Sequence, residues 1–299
     1  MASTRHAVEA AAAGVVGGVA GLLPRSAVLA FGRALGRAWG RLDQRHLRIA
    51  EDNLGRAFPD WDAQRRRETA LGVYGHFGRV LLDILWMARR DRDAILRLVD
   101  VSGADHVEAA AAAGRGVILV TAHFGNWEVH GMAHGWLFGP IGVVARPLDN
   151  PSLDALLCDA RRRPGNTVIY KKRALPQVLR LLRENRGVAI LIDQNVQTGD
   201  GVFVDFFGRP AATTTVAAAL ALKTGCALIP THTELGADGR YTLVYEPPLA
   251  LPASGDRAAD VQLLTQELTS AIEGWVRRRP EQWLWLHRRW KTQPSESRA

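Results

Sequence analysis

From Val99 onward, strand-length apolar runs alternate with helix-length stretches, and this alternation restricts the possible folds most. Strands are predicted near 116–121, 141–145, 167–170, 188–192, 226–231 and 241–246. Helices are predicted near 104–113, 127–138, 151–162, 174–185, 213–224 and 257–279. Strands that alternate with helices build a sheet covered on both faces. The expected class is α/β, with a mixed, largely parallel central sheet flanked by helices. Such sheets hold their ligands beyond the carboxyl ends of the strands. Residues directly after each predicted strand therefore matter most.

The run Gly116 to Val120 reads as a buried strand, followed by Thr121-Ala122-His123-Phe124-Gly125-Asn126-Trp127-Glu128. Gly125 and Asn126 break the run, and a helix is predicted to start near Trp127. His123 thus falls at a strand end, where a neutral imidazole can take a proton. A turn between them could bring Glu128 back to the ring, which would make His123 a general base oriented by Glu128. The alternative is a structural histidine beside a solvated glutamate. Arg146 ends the next strand, where a fixed cation could hold a phosphate or an oxyanion, or simply cap a turn. Asp193, Gln194 and Asn195 end the strand 188–192. Asp193 could pair with Arg146, hold an acceptor or form a turn.

His130 and His134 share metal-ligand spacing, but Gly131 stands where the zinc peptidase pattern needs glutamate, so no metal is expected. The long segment from Asp193 to Ala212 reads as a loop. Within it, Val202 to Pro210 is apolar and aromatic, and reads as an exposed contact for hydrocarbon or as a buried plug. Thr213-Thr214-Thr215 is expected to open a helix whose free N–H groups favour anions. Cys158 and Cys226 lie far apart without ligand spacing and read as buried reduced thiols.

Before the sheet, Ala10 to Leu23 is an uncharged run of 14 residues, too short for a spanning helix of about 20. An interfacial or re-entrant anchor is the expectation. Arg33, Arg37 and Arg41 then share one helical face, opposite Val28, Phe31, Leu35, Trp39 and Leu42. That pattern fits a helix lying on an anionic bilayer, and equally a surface helix packed on its own core. Residues 49–97 read as helices with a break at Phe58-Pro59-Asp60. The tail from Pro280 to Lys291 sets three tryptophans among His287 and the cations Arg288, Arg289 and Lys291, as a membrane interface or a core seal would. A net charge of +8, mostly arginine excess, suits phosphate or anionic lipid. No zinc-finger spacing or aromatic-basic platform supports nucleic acid.

Several segments together resemble the bacterial lipid A lauroyl/myristoyl acyltransferases, the late acyltransferases that also include phosphatidylinositol mannoside acyltransferases. The matching pieces are Asn53-Leu54 with Ala57-Phe58-Pro59, His123 to Glu128, Arg146-Pro147 with Asn150-Pro151, and Asp193-Gln194. Phe206-Phe207-Gly208 with Thr213, and Pro280 to Trp283 with Trp285, His287 and Arg288, complete the ordered set. The resemblance implies acyl transfer from acyl carrier protein or coenzyme A to a glycolipid hydroxyl. His123 would be the base and Glu128 its orienting acid, with Asn126, Arg146, Asp193 and Gln194 at the substrate and no cofactor. It also implies attachment to the cytoplasmic side of an inner membrane. Residues 1–45 would form membrane-associating helices and 46–299 the catalytic domain: helical 46–98, sheet core 99–279, Trp/Arg-rich tail 280–299. A thioesterase or lipid hydrolase using the same pair with water, and a non-catalytic glycolipid-binding protein, are the rival readings.

Overall fold

The computed structural model describes residues 2–172 and 174–294; the last five residues of the expected tail fall outside them. Helices come first: α1 (Ala2–Leu22), α2 (Arg25–Leu42), α3 (Gln44–Ala57), α4 (Ala63–Met87) and the short α5 (Arg92–Leu96). The break at Phe58-Pro59-Asp60 separates α3 from α4, and the Asp62 side chain caps α4 by accepting from Arg65 N. The alternating part comes next, as β1 (Val99–Ser102), α6 (Ala104–Ala112), β2 (Val117–Thr121), α7 (Trp127–Leu137), β3 (Gly142–Ala145) and α8 (Pro151–Arg162). It continues through β4 (Thr167–Tyr170), α9 (Ala174–Arg183), β5 (Gly187–Leu191), β6 (Val202–Asp205), β7 (Pro210–Thr213) and α10 (Val216–Thr224). β8 (Ala227–Leu235), β9 (Tyr241–Tyr245), α11 (Arg257–Arg278) and a 3-10 turn over Pro280–Gln282 complete it.

Seven strands form one sheet in the order β1-β9-β8-β2-β5-β3-β4. Every neighbouring pair is parallel except β8–β9, so the sheet is mixed and largely parallel. β2 lies at its centre, and all five of its residues are buried. β5 pairs with β2 in a register that sets Thr121 opposite Leu191. Because of that register, His123 and Asp193, each two residues beyond its strand, leave the same edge side by side.

The α2–α4 contact is made by glycines. A Cβ on Gly36 would lie 2.0 Å from Tyr74 O, and one on Gly78 would lie 2.2 Å from Gly32 O. Backbones that close exclude any side chain between them. The buried face of α2 is thus Val28, Gly32, Gly36 and Gly40. Phe31, Leu35, Trp39 and Leu42, between 50% and 76% exposed, face solvent instead of a core. Val15, Val19 and Leu22 of α1 are exposed too. Among the described residues, no helix is long and apolar enough to cross a membrane.

The segment after Asp193 is not all loop, because β6 and β7 form a hairpin against α11. Phe206 and Phe207 on it are buried, so this aromatic stretch plugs the core. Of the three threonines expected to open a helix, Thr215 is the N-cap of α10, whereas Thr213 ends β7 with its hydroxyl held by Arg289 and the Ala211 carbonyl. The tryptophans of the tail, Trp283, Trp285 and Trp290, are likewise buried, packed at steep or tilted angles on one another or on Phe206 and Phe207. Rings of that size bury more apolar area inside the fold than any other side chain would. Cys158 and Cys226 are buried and unpaired.

Candidate active site

The turn after β2 is clamped from three sides. Gly125 adopts φ +59°, and a Cβ there would lie 1.5 Å from Thr233 O, so only glycine fits. Its N–H donates to Gln282 O (2.9 Å), while its carbonyl accepts from His76 Nε2 on α4 (3.1 Å). His76 is fully buried, and burial lowers its pKa to about 4, so it stays neutral and donates. On the tail side, Leu284 N donates to His123 O (3.0 Å), and Gln282 exchanges both amide bonds with the Leu235 backbone.

Within this clamp, His123 Nδ1 donates to Asp193 Oδ1 at 2.8 Å. The other carboxylate oxygen, Oδ2, accepts from His123 N (2.9 Å) and from Trp283 Nε1 (2.8 Å). Charge-assisted bonds of this kind are about twice as strong as neutral ones. Burial raises the Asp193 pKa, but His123 and the donors around it outweigh burial and hold it below the usual carboxylate value. For His123, burial opposes the charged ring. The charge and hydrogen bond of Asp193, with the more distant charge of Glu128, outweigh it and raise the pKa. With Nδ1 committed, Nε2 is the basic atom. The His123 side chain is 22% exposed, and Gln194 Nε2 approaches that atom at 3.4 Å. The arrangement can take one proton from a hydroxyl brought to Nε2.

The carboxylate on the ring is therefore Asp193, and the expected His123–Glu128 contact is corrected. Glu128 sits in the first turn of α7 and points toward α8. Arg161 holds it there with Nε at 2.8 Å and Nη2 at 2.5 Å, and Trp127 Nε1 donates to it at 2.9 Å. Glu128 acts on His123 only through its charge. Asp193 does not pair with Arg146: Arg146 is 83% exposed at the same sheet edge and lies 3.5 Å from Asp149. Asn126, expected at the substrate, is fully buried. Its Oδ1 caps α7 at Val129 N and its Nδ2 donates to Tyr241 Oη, which in turn donates to Asp83. Asp83 also holds the guanidinium of Arg25 at the start of α2, so the turn is tied to the N-terminal helices.

Trp283, His76, Gln282 and Arg161 were not predicted as members of this site. Only their partners' positions in space reveal them. His130 and His134 lie under the site and serve packing. Both nitrogens of His130 are taken by Thr233 and Thr231, and His134 bonds Tyr245. Burial holds both rings neutral, with the pKa of His134 lowered to about 3. A cavity of about 30 Å³ separates α7 from the sheet, room for about one water. Thr121, whose hydroxyl has no protein partner, lines it with Trp127, Glu128 and Arg161.

Comparison with known proteins bears on this geometry. Residues 2–292 match the bacterial lipid A biosynthesis acyltransferase family. The lipid A biosynthesis lauroyltransferase of Escherichia coli (strain K12) is 31% identical over 278 residues, 91% of this chain and 88% of that protein. A phosphatidylinositol mannoside acyltransferase of Mycobacterium tuberculosis (strain CDC 1551 / Oshkosh) is 33% identical over 77% of this chain and 71% of its own length. The lipid A biosynthesis palmitoleoyltransferase of Escherichia coli (strain K12) is 27% identical over 91% of this chain and 87% of its own. The family match runs through every element that builds the His123 turn, from α1 to the tryptophan tail. This chain is an acyltransferase, and it belongs to the bacterial lipid A biosynthesis acyltransferase family.

Proposed function

We propose that this protein moves a fatty acyl group from a thioester, on acyl carrier protein or coenzyme A, to a hydroxyl of a lipid A precursor or related glycolipid. The observation that carries the proposal is the His123 Nδ1–Asp193 bond, which leaves Nε2 basic at a strand end. Nε2 takes the hydroxyl proton as the lipid oxygen attacks the thioester carbonyl. The tetrahedral intermediate then collapses, the carbon–sulfur bond breaks, and the imidazolium returns its proton to the departing thiolate. Asp193 stabilises the imidazolium between those steps. Because the attacking oxygen belongs to the acceptor, no protein nucleophile is needed, and among the described residues no serine or cysteine side chain bonds to His123. The names of the relatives support the acceptor class. Purified protein given acyl thioester with and without glycolipid should release free thiol only when the glycolipid is present. Mass spectrometry should then find the glycolipid heavier by one acyl group. Thiol release indifferent to acceptor would point to a hydrolase instead.

On the same reading, the reaction runs at the cytoplasmic surface of an inner membrane. Its support is the exposed row Phe31, Leu35, Trp39 and Leu42 on α2, beside Arg33, Arg37 and Arg41. Aromatic and aliphatic side chains flanked by arginines suit the boundary of an anionic bilayer. Leu35→Glu with Trp39→Glu should release the protein from vesicles containing anionic lipid, read by co-sedimentation. The buried glycine face that holds α2 to α4 is untouched by these changes. Undiminished sedimentation of the double variant would reject α2 as the docking face.

A further inference from the structure

A second site emerges away from His123, where α3 ends against the β6–β7 hairpin. A hollow of about 550 Å³ opens there, lined by Arg56, Arg209, Pro210, Trp290 and Gln293. No acidic side chain lines it among the described residues. The Arg56 guanidinium makes no ion pair among them, and Arg209 spends only Nε, on the Arg56 carbonyl (3.2 Å). Trp290 is 4% exposed, and its indole N–H is buried without a partner. A buried donor left unpaired is costly unless something accepts from it. Two guanidinium forks with N–H groups left to donate are the chemistry that holds a phosphate, while Gln293 Nε2 is already spent on Trp290 O (2.7 Å). The adjoining hollow shares Arg56 but also carries Glu51 and Asp52, and so lacks that one-sided character.

Packed rings link the wall of the hollow to the residues around His123. The Trp290 ring lies 5.8 Å from Phe206, Phe206 lies 5.5 Å from Trp283, and Trp283 donates to Asp193. The tail runs the same way. His287 Nε2 accepts from Asn195 N, next to Gln194 at the His123 ring, and Thr292 closes back on Asn195 and Val196. From His287 to Gln293 the chain covers at most about 20 Å even if fully extended. An extended pantetheine arm reaches over such a span, with a thioester at one end and a phosphate at the other.

We propose that the hollow walled by Arg56, Arg209 and Trp290 binds the phosphate of a phosphopantetheine-borne acyl donor, setting its thioester beside His123. This rests on the thioester reading of the proposed function. The phosphate is common to coenzyme A and to the prosthetic arm of an acyl carrier protein, so both donors use the hollow.

Arg56→Glu with Arg209→Glu tests it, since both side chains are exposed and their reversal leaves the core intact. The KM for acyl-coenzyme A and for acyl carrier protein should each rise about tenfold or more, as loss of charge-assisted bonds to phosphate requires. The KM for the glycolipid should stay within about twofold, as should kcat at saturating donor. Titration calorimetry with coenzyme A itself, in a His123→Ala background, reads binding without turnover and should show the same loss. That arm stands even if no thioester is turned over by the wild type, so failure of the functional reading and failure of this site are told apart. Unchanged donor KM and unchanged coenzyme A binding would overturn the proposal. A rise confined to the glycolipid would assign the hollow to a lipid phosphate, and a rise confined to the carrier protein would assign it to a protein surface. Either result would also overturn it.

Discussion

His123→Ala should lower acyl transfer by about 10²–10⁴-fold, the range over which a positioned general base contributes. The loss should appear in kcat, with little change in the KM of either substrate, because Nε2 acts on the proton in flight rather than on the bound ground state. The fold should survive. The ring is partly exposed, and Asp193 keeps the His123 N–H and the Trp283 indole as donors. Losing one charge-assisted bond costs about 1.5–3 kcal/mol, a fraction of the stability of a domain this size. Single-turnover transfer rates together with a thermal melt check this. Activity within about tenfold of wild type in a folded His123→Ala protein would remove the imidazole from the mechanism.

Asp193→Asn should be as severe, about 10³–10⁴-fold, for a reason the hydrogen bonds dictate. Oδ2 accepts from two fixed donors, the His123 N–H and the Trp283 indole N–H. An asparagine has one carbonyl oxygen, and those donors claim it. The NH₂ group then occupies the place of Oδ1, 2.8 Å from Nδ1 in the native protein, and Nδ1 must become the acceptor. The ring proton moves to Nε2, and the base is lost by tautomer rather than by position.

The pH dependence has a definite sign. Burial opposes protonation of His123, but the Asp193 charge and bond, with the Glu128 charge, raise its pKa above the ordinary 6.5. As pH falls through that raised value the ring gains a proton and can no longer serve as base, so the acidic limb of the wild-type profile should lie above pH 6.5. In Asp193→Asn the main raising influence is gone and burial remains, so the limb of the residual activity should move to lower pH. Glu128→Gln should move it the same way by less, since Glu128 contributes least. Profiles of kcat/KM for the three proteins measure this; coincident limbs would show that Asp193 does not tune His123.

Much of the architecture was legible from local pattern. The central strands carry continuous apolar runs, and the helices between them carry caps and amphipathic spacing, so the elements expected there fell within a few residues of those found, whereas β1, β6 and β7 had no expected counterpart. His123 was legible for the same reason, because a polar residue directly after a buried strand must lie at the sheet edge. What could not be read locally was pairing. β2 and β5 are some 70 residues apart in the chain, and only their parallel register sets Asp193 against His123. Without it the nearest acid in sequence, Glu128, looked like the partner. Its side chain instead leaves on the far side of the α7 turn and meets Arg161, 33 residues on.

The same division runs through the aromatic and apolar surfaces. Composition marked Phe206, Phe207 and the tail tryptophans as hydrophobic, but burial or exposure depends on what folds against them, and the β6–β7 hairpin and tail bury each other. For α2, periodicity showed two faces, yet the face that packs is the glycine row, because backbone approach to α4 excludes larger side chains. The sequence by itself therefore determined the layered α/β class and the strand end bearing His123. Only the tertiary structure decided which carboxylate meets that ring and which apolar rows stay exposed. Local periodicity comes from the geometry of one segment, whereas partners are chosen by the free energy of packing distant segments together.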